Sequence, residues 1–201
     1  MPITCLFCEE EVFINEGITP SSTMYMCPRC GFVKLEREAL EDFNERDFKK
    51  EDRIAISITL RNEWEKSKNR EKTLTYTDLL NIKKQFSHLD PIEKLNKALL
   101  IISDKSKWVG DVVNIDHKKD YPLYFCKNWK ELISVIKLLI SENLINNPVV
   151  GDLNSLQITT DGYRKIRDLR KYNKESNQCF VAMWFTEEMN GIYEKSFKKA
   201  I

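Results

Sequence analysis

The chain has 201 residues, 42% hydrophobic and 31% charged, with a formal net charge of +1. That is enough apolar material for one or two domains with real cores, and it excludes a disordered chain. No apolar run approaches membrane-spanning length. The N-terminus, Met1-Pro-Ile-Thr-Cys5, has neither the basic nor the apolar part of a secretion signal, so a cytoplasmic protein with no membrane partner is expected.

The first element is carried by four of the six cysteines. Cys5-Leu-Phe-Cys8 and Cys27-Pro-Arg-Cys30-Gly31 form two C-x2-C pairs. In a reducing compartment such pairs point to metal rather than to disulfides. Two thiolates three positions apart bind one ion from a tight turn, and two such turns at hairpin tips close a tetrahedral zinc site. Met24-Tyr25-Met26 and Phe32-Val33-Lys34-Leu35 suit short flanking strands. Cys5, Cys8, Cys27 and Cys30 are therefore the predicted ligands of a structural Zn2+, in a zinc ribbon spanning 1–34. Glu9 stands after Cys8, where a glycine is common. His88 and His117 are remote in sequence and are read as ordinary polar residues.

Charge argues about the ribbon's partner. Residues 1–34 carry Arg29 and Lys34 against Glu9, Glu10, Glu11 and Glu16, a net −2. Four thiolates around a divalent ion add another −2, and phosphate contact needs cations. A folding staple or protein-contact module is the expected role.

Residues 35–90 are expected to form a helical connector. No glycine occurs between Gly31 and Gly110 and no proline between Pro28 and Pro91, which favours helix. Leu35, Ala39, Leu40 and Phe43 have helical spacing. The run Ile54-Ala-Ile-Ser-Ile-Thr-Leu60 alternates like a strand, but its flanks are helix formers without turn signals. It is read as helix, with Ile56, Leu60 and Trp64 on one face. Residues 66–72 read as a loop, and Thr77 as the cap of a short helix over 78–86.

Residues 91–172 show a further pattern. Asp90-Pro91 opens a helix with proline at its first position, and Ile92, Leu95, Leu99 and Ile102 form its apolar face. A connector, 103–127, follows. Asn128-Trp-Lys-Glu131 reads as a capping box, and Asn143 as the left-handed residue ending that helix. Asn147-Pro148 and Gly151-Asp152 bracket a hairpin loop, Ser155 to Thr159 alternates as a strand, and Thr159 or Thr160 caps a last helix. This order resembles a winged helix-turn-helix domain. Apolar residues from Trp129 to Ile140 nearly encircle the 129–142 helix, which predicts burial on several sides rather than a base-reading face. The basic series with Arg164, Lys165, Arg167 and Lys171 is a candidate phosphate contact, or a solvated helix end.

Beyond a polar linker, Cys179-Phe-Val-Ala-Met-Trp-Phe185 is apolar on both faces, as in a strand inside a parallel sheet. Thr186 caps a following amphipathic helix. One strand and one helix cannot make a parallel sheet, so the chain is expected to be the front part of a longer protein. The alternative, that the strand joins a sheet of the preceding domain, stays open.

Phe180-Val-Ala-Met-Trp-Phe185, with Glu-Met, Ile-Tyr-Glu and Ala-Ile after it, resembles the opening strand and helix of nucleoside 2-deoxyribosyltransferase-like domains. These are related in fold to TIR domains. The arrangement is similar to bacterial multidomain proteins in which such a domain follows a zinc ribbon and a winged-helix region. Asp120-Tyr-Pro-Leu123 and Asn128-x-x-Glu131-Leu fit the middle of those proteins. The resemblance implies a Rossmann-like effector that cleaves or transfers at an N-glycosidic bond. Trp184, Phe185 and Thr186 would lie beyond the strand's carboxyl end, where a nucleoside or NAD-like ligand binds. The family's catalytic acid belongs to a later part of the domain, so no catalytic residue carries over and the chain alone is expected to be inactive.

The predicted class is thus mainly α with small β elements (α+β): ribbon 1–34, connector 35–90, winged-helix-like domain 91–172, and 173–201 as linker and first strand–helix of a truncated Rossmann-like domain. The expected function is the zinc-binding sensing or regulatory region of a bacterial nucleotide- or NAD-processing effector, in an anti-phage setting. A protein partner or self-association goes with it, and a nucleotide ligand only together with the missing C-terminal part. Two alternatives are a winged-helix DNA-binding transcriptional regulator and an oligomerisation or protein-interaction module. Cys126 and Cys179 receive no role.

Overall fold

Two hairpins, a helical layer and a second small sheet follow one another in the computed structural model, which describes residues 3–12, 21–43, 47–67, 73–149 and 152–171. The class is mixed α+β with small sheets, as expected. Contacts divide the chain into a unit of residues 1–166 and a unit of residues 167–201. The described part of the second is the end of the last helix. Residues 173–201, including the expected strand–helix unit and Trp184, Phe185 and Thr186, lie outside the described residues. Among the described residues no helix is long and apolar enough to cross a membrane.

Strands β1 (Ile3–Thr4) and β2 (Glu11–Val12) pair antiparallel. Strands β3 (Ser22–Cys27) and β4 (Gly31–Glu36) form a longer hairpin, with Cys27 opposite Gly31 and Tyr25 opposite Val33. Successive side chains of a strand alternate faces, so Tyr25, Val33 and Leu35 enter one core with Phe7, Val12, Phe48 and Leu74. Leu35 is a strand residue here, not the start of a helix. The reason is local. Its backbone neighbourhood is occupied by a bridge to Leu74, in which Glu36 N–H donates to Leu74 O (3.0 Å) and Leu74 N–H donates to Lys34 O (2.9 Å).

Helix α1 (Arg37–Asp42) follows, then α2 (Lys50–Lys66) and α3 (Tyr76–Gln85). The ambiguous run 54–60 is helical, as expected. Its strand-like alternation has a tertiary cause. Ala55, Ile56, Ser57, Ile58 and Leu60 are all buried, so α2 is covered over more than one stripe. Ile56 and Leu60 join the ribbon core, and Trp64 stacks on Phe32 with centroids 6.2 Å apart. The cap of α3 is Thr75, not Thr77. Thr75 Oγ1 accepts from the Asp78 amide, and the Asp78 carboxylate accepts from the Thr75 amide, both at 3.0 Å.

Helix α4 (Pro91–Lys105) begins at the Asp90 cap with proline in its first turn, as predicted. Leu95, Leu99 and Ile102 are buried together with Ala98, but Ile92 is exposed. The expected connector contains two elements, β5 (Val112–Asn114) and α5 (His117–Asp120). Helix α6 (Trp129–Ser141) starts at the Asn128 cap, and Asn143 leaves it at φ +56°, both as read from the sequence. Glu131 reaches one residue past the cap, accepting from the Lys127 amide at 2.6 Å. Strands β6 (Ile145–Asn146) and β7 (Ser155–Ile158) form the expected hairpin, and β5 pairs on the other side of β7, all antiparallel. Helix α7 (Thr160–Lys171) is capped by Thr159, whose Oγ1 accepts from the Gly162 amide at 3.0 Å.

The expectation that α6 is buried on several sides is corrected. Leu132, Val135, Ile136 and Leu139 are buried against α4, α5 and β6, while Trp129 and Leu138 are exposed beside Lys130, Ser134 and Lys137. Those three elements cover one side of the helix, and among the described residues no element covers the other.

Lys94 of α4 is buried and ion-paired with Glu131 of α6. Burial works against ionisation of Glu131, but hydrogen bonds from Lys94 and the Lys127 amide outweigh it and hold the carboxyl below its ordinary value. Stability from a depressed carboxyl is present above the unfolded value and is lost as pH falls through the folded one. The wild type should therefore melt above Glu131→Gln at neutral pH, by at most roughly 2–4 °C for a partly exposed pair. The gap should close as the solution is acidified below about pH 4. Thermal melts across that pH range check this, and a constant gap would exclude the ion pair as its source.

Candidate metal centre

Each predicted ligand sits at the tip of a hairpin. Cys5 and Cys8 lie in the turn between β1 and β2, closed by Cys5 N–H to Glu10 O (2.9 Å) and Glu9 N–H to Cys5 O (3.0 Å). Glu9 takes φ +60°, the left-handed conformation that glycine adopts at less cost. Cys27 ends β3 and Cys30 ends the turn into β4, where the Cys30 amide donates to Cys27 Sγ at 3.4 Å. Gly31 follows at φ +79°.

The four sulfurs lie within 4.8 Å of one another. Cys5 and Cys30 are 3.8 Å apart and Cys8 and Cys27 3.3 Å apart. A tetrahedron with metal–sulfur bonds of about 2.3 Å has edges of about 3.8 Å. The four cysteines thus fit one metal ion and could hold it as a closed site. Cys5, Cys27 and Cys30 are buried and Cys8 is half-buried. Among the described residues no histidine or carboxylate joins the four sulfurs.

Electrostatics point the same way. Hydrogen bonding to Cys27 holds the Cys5 thiol far below its ordinary value, while Cys27 pushes Cys8 and Cys30 up; Cys27 itself is drawn down by Cys30. Four close thiols cannot all ionise against one another, and a divalent cation removes that conflict.

Second contacts come from residues that the sequence did not single out. Tyr25 Oη lies 3.6 Å from Cys5 Sγ and Ser57 Oγ lies 3.2 Å from Cys30 Sγ. Burial first, and then the Cys5 sulfur, push the Tyr25 phenol up, so it stays protonated and can donate. Ser57 is the buried hydroxyl of α2, placed by the helix against the second knuckle. Such partners orient ligands and tune the bound ion. The visible signal was a pair of hydroxyls, Ser57 and Thr59, in a run otherwise apolar, and of the two only Ser57 is fully buried.

Arg29 and Arg61 hold the two knuckles from outside the sulfur cage. Arg29 donates to Cys8 O (3.0 Å) and pairs with Glu10 at 2.5 Å. Arg61 donates to Pro28 O at 2.8 Å. Cys126 is remote from this centre in its bonding, buried with Sγ 3.4 Å from Tyr124 O. Burial pushes its thiol up to about 12, which makes it an inert thiol.

The candidate phosphate-contacting cations of α7 are exposed, but two have acidic neighbours. Arg164 pairs with Asp161 at 2.8 Å and Arg167 with Asp168 at 3.5 Å, while Lys165 and Lys171 extend from the same helix. No family model matches the chain, and neither a curated protein nor a solved structure matches it.

Proposed function

We propose that this chain is a zinc-stapled regulatory region whose work is done by surfaces rather than by a catalytic centre. The observation that carries the reading is the closed cage of four cysteines on two hairpin tips. Four thiolates suit zinc, and a ribbon without an open coordination position serves as a folding staple. The helix–strand–helix–helix–hairpin–helix order from α4 to α7, with strand order β5-β7-β6, supports a winged-helix reading of 91–172. Its attachment to a nucleoside deoxyribosyltransferase-like effector rests on the resemblance in domain arrangement and short motifs, of which Phe180–Phe185 is the most specific. In that reading the region senses a trigger, and a C-terminal domain supplies the chemistry on a nucleotide or NAD-like substrate.

A second reading has one specific observation in its favour. The open face of α6 presents Lys130, Ser134 and Lys137, so this helix is free to approach a phosphate backbone. One set of measurements separates the readings. Elemental analysis of the purified protein should give one zinc per chain. Fluorescence anisotropy with a mixed-sequence duplex should show no binding at physiological salt. Absence of zinc would overturn the staple. Tight binding that weakens steeply with salt, and that Lys130→Ala with Lys137→Ala abolishes, would establish the nucleic-acid reading.

A further inference from the structure

The two arginines at the metal knuckles do more than brace the turns. Arg29 Nε donates to Lys118 O at 2.9 Å, and its guanidinium lies over the Tyr121 ring, 5.6 Å from the centroid. Arg61 pairs with Asp120 at 2.7 Å while holding the Pro28 carbonyl inside the Cys27–Cys30 turn. Asn62, next on α2, donates to Pro122 O at 3.2 Å. All four contacts converge on residues 118–122, and two of them start from the backbone or side chain of the second knuckle. Arg29 can grip Lys118 and Tyr121 only while Cys27 and Cys30 hold it at the turn's apex. Arg61 depends on the same turn for its carbonyl partner.

The contacts that tie the segment to Arg29, Arg61 and Asn62 are polar, while its Leu123, Tyr124 and Cys126 side chains are buried; three buried polar atoms here, Arg61 Nε, His117 Nε2 and Tyr124 Oη, have no hydrogen-bond partner among the described residues. Burial, and then the nearby Asp120 carboxylate, keep the Tyr124 phenol protonated. Each such group regains a hydrogen bond when water enters, so separation recovers solvation that docking withholds. The segment also has little structure of its own. Its amide bonds are short turns, Asp120 to Asp116 (2.7 Å), Leu123 to Asp120 (2.9 Å) and Cys126 to Tyr121 (3.0 Å), with Phe125 in the left-handed region at φ +58°. By contrast the α6 core residues are held by α4 and β6 as well.

We propose that metal in the four-cysteine cage controls the docking of residues 117–126. With metal bound, Arg29 and Arg61 clamp this segment to the ribbon and to α2. On metal loss the knuckle relaxes, the clamp fails, and the segment is released while the sheet and helices of the 91–166 part remain folded. The inference rests on the metal reading above and assigns that site a regulatory output. The junction, placed between the ribbon and α6, is where a change at the sulfurs reaches the second half of the unit.

The test is amide hydrogen exchange on the full chain with zinc bound and after chelation with EDTA in the presence of reductant, metal content being followed by native mass spectrometry. Exchange at 119, 120, 123, 125 and 126 should speed up about 10-fold or more on chelation, with less than about a 2-fold change at 135–139 in α6. Arg61→Ala should reproduce the release with zinc still bound, and Asp120→Asn serves where that variant folds poorly. Unchanged exchange at the junction after zinc has left would overturn the clamp and leave the metal reading intact. Equal loss of protection in α6 would overturn it by showing unfolding of the whole unit. A native mass without zinc before chelation would overturn both.

Discussion

Cys30→Ser should lower the melting temperature by on the order of 10 °C or more, because it removes the most enclosed member of the cage. Cys30 is fully buried, its amide donates to Cys27 Sγ, and its sulfur meets both Cys5 Sγ and Ser57 Oγ. Serine is nearly isosteric, so lost packing is a small part of the effect. The expected loss is that of the proposed zinc, whose binding to structural four-ligand sites is worth about 10–16 kcal/mol in isolated fingers. Only part of that appears in a chain with a second core, but several kcal/mol at roughly 2–4 °C each is ample. Cys126→Ser is the control. It is equally buried, lies outside the cage and should shift the melt by much less. Calorimetry of the two variants with zinc analysis decides the matter, and matching melts would rule out a metal role for Cys30.

The second large effect is expected at Gly31→Ala. At φ +79° a side chain is strained by about 1–2 kcal/mol whatever the space around it. Here the space is also taken. A Cβ on Gly31 would lie 2.4 Å from Trp64 Cγ and 2.7 Å from Trp64 Cβ, and the indole is held against Phe32. Alanine must push α2 away from the second knuckle, so a total loss of roughly 3–5 kcal/mol is expected. A double-mutant cycle separates the two contributions. In a Trp64→Ala background the penalty of Gly31→Ala should fall towards the conformational part alone. Denaturant unfolding of the four proteins measures this, and an equal penalty in both backgrounds would remove the clash from the account.

These two positions also show how much could be read without coordinates. The cysteine pairs were legible because two ligands on one turn impose a spacing that the chain itself records. Gly31 was legible as the glycine that commonly follows such a pair, the place Glu9 takes after Cys8. That it also makes room for Trp64, 33 positions on, was not, since nothing local links the two. Caps at Asp90 and Asn128 and the left-handed Asn143 were read correctly, because a cap is satisfied within one helical turn of its own position. Thr77 was misplaced by two residues from Thr75, since both threonines stand near the start and only the Asp78 carboxylate chooses between them.

By itself, then, the sequence determined the four sulfurs and their grouping, the hairpins that carry them, and the start and stop of most helices. Each of these depends on bonds or hydrogen bonds that span only a few residues. The tertiary structure alone decided which side of α6 is covered, that Val112–Asn114 adds a strand beside β7, and that Ser57, Arg29 and Arg61 touch the four-cysteine cage or its turns. Those outcomes turn on pairings between residues up to about 90 positions apart, as in the hydrogen bond from Arg29 to Lys118. Periodicity shows that a face is apolar, but what covers that face is set only when the folded chain brings distant elements into contact.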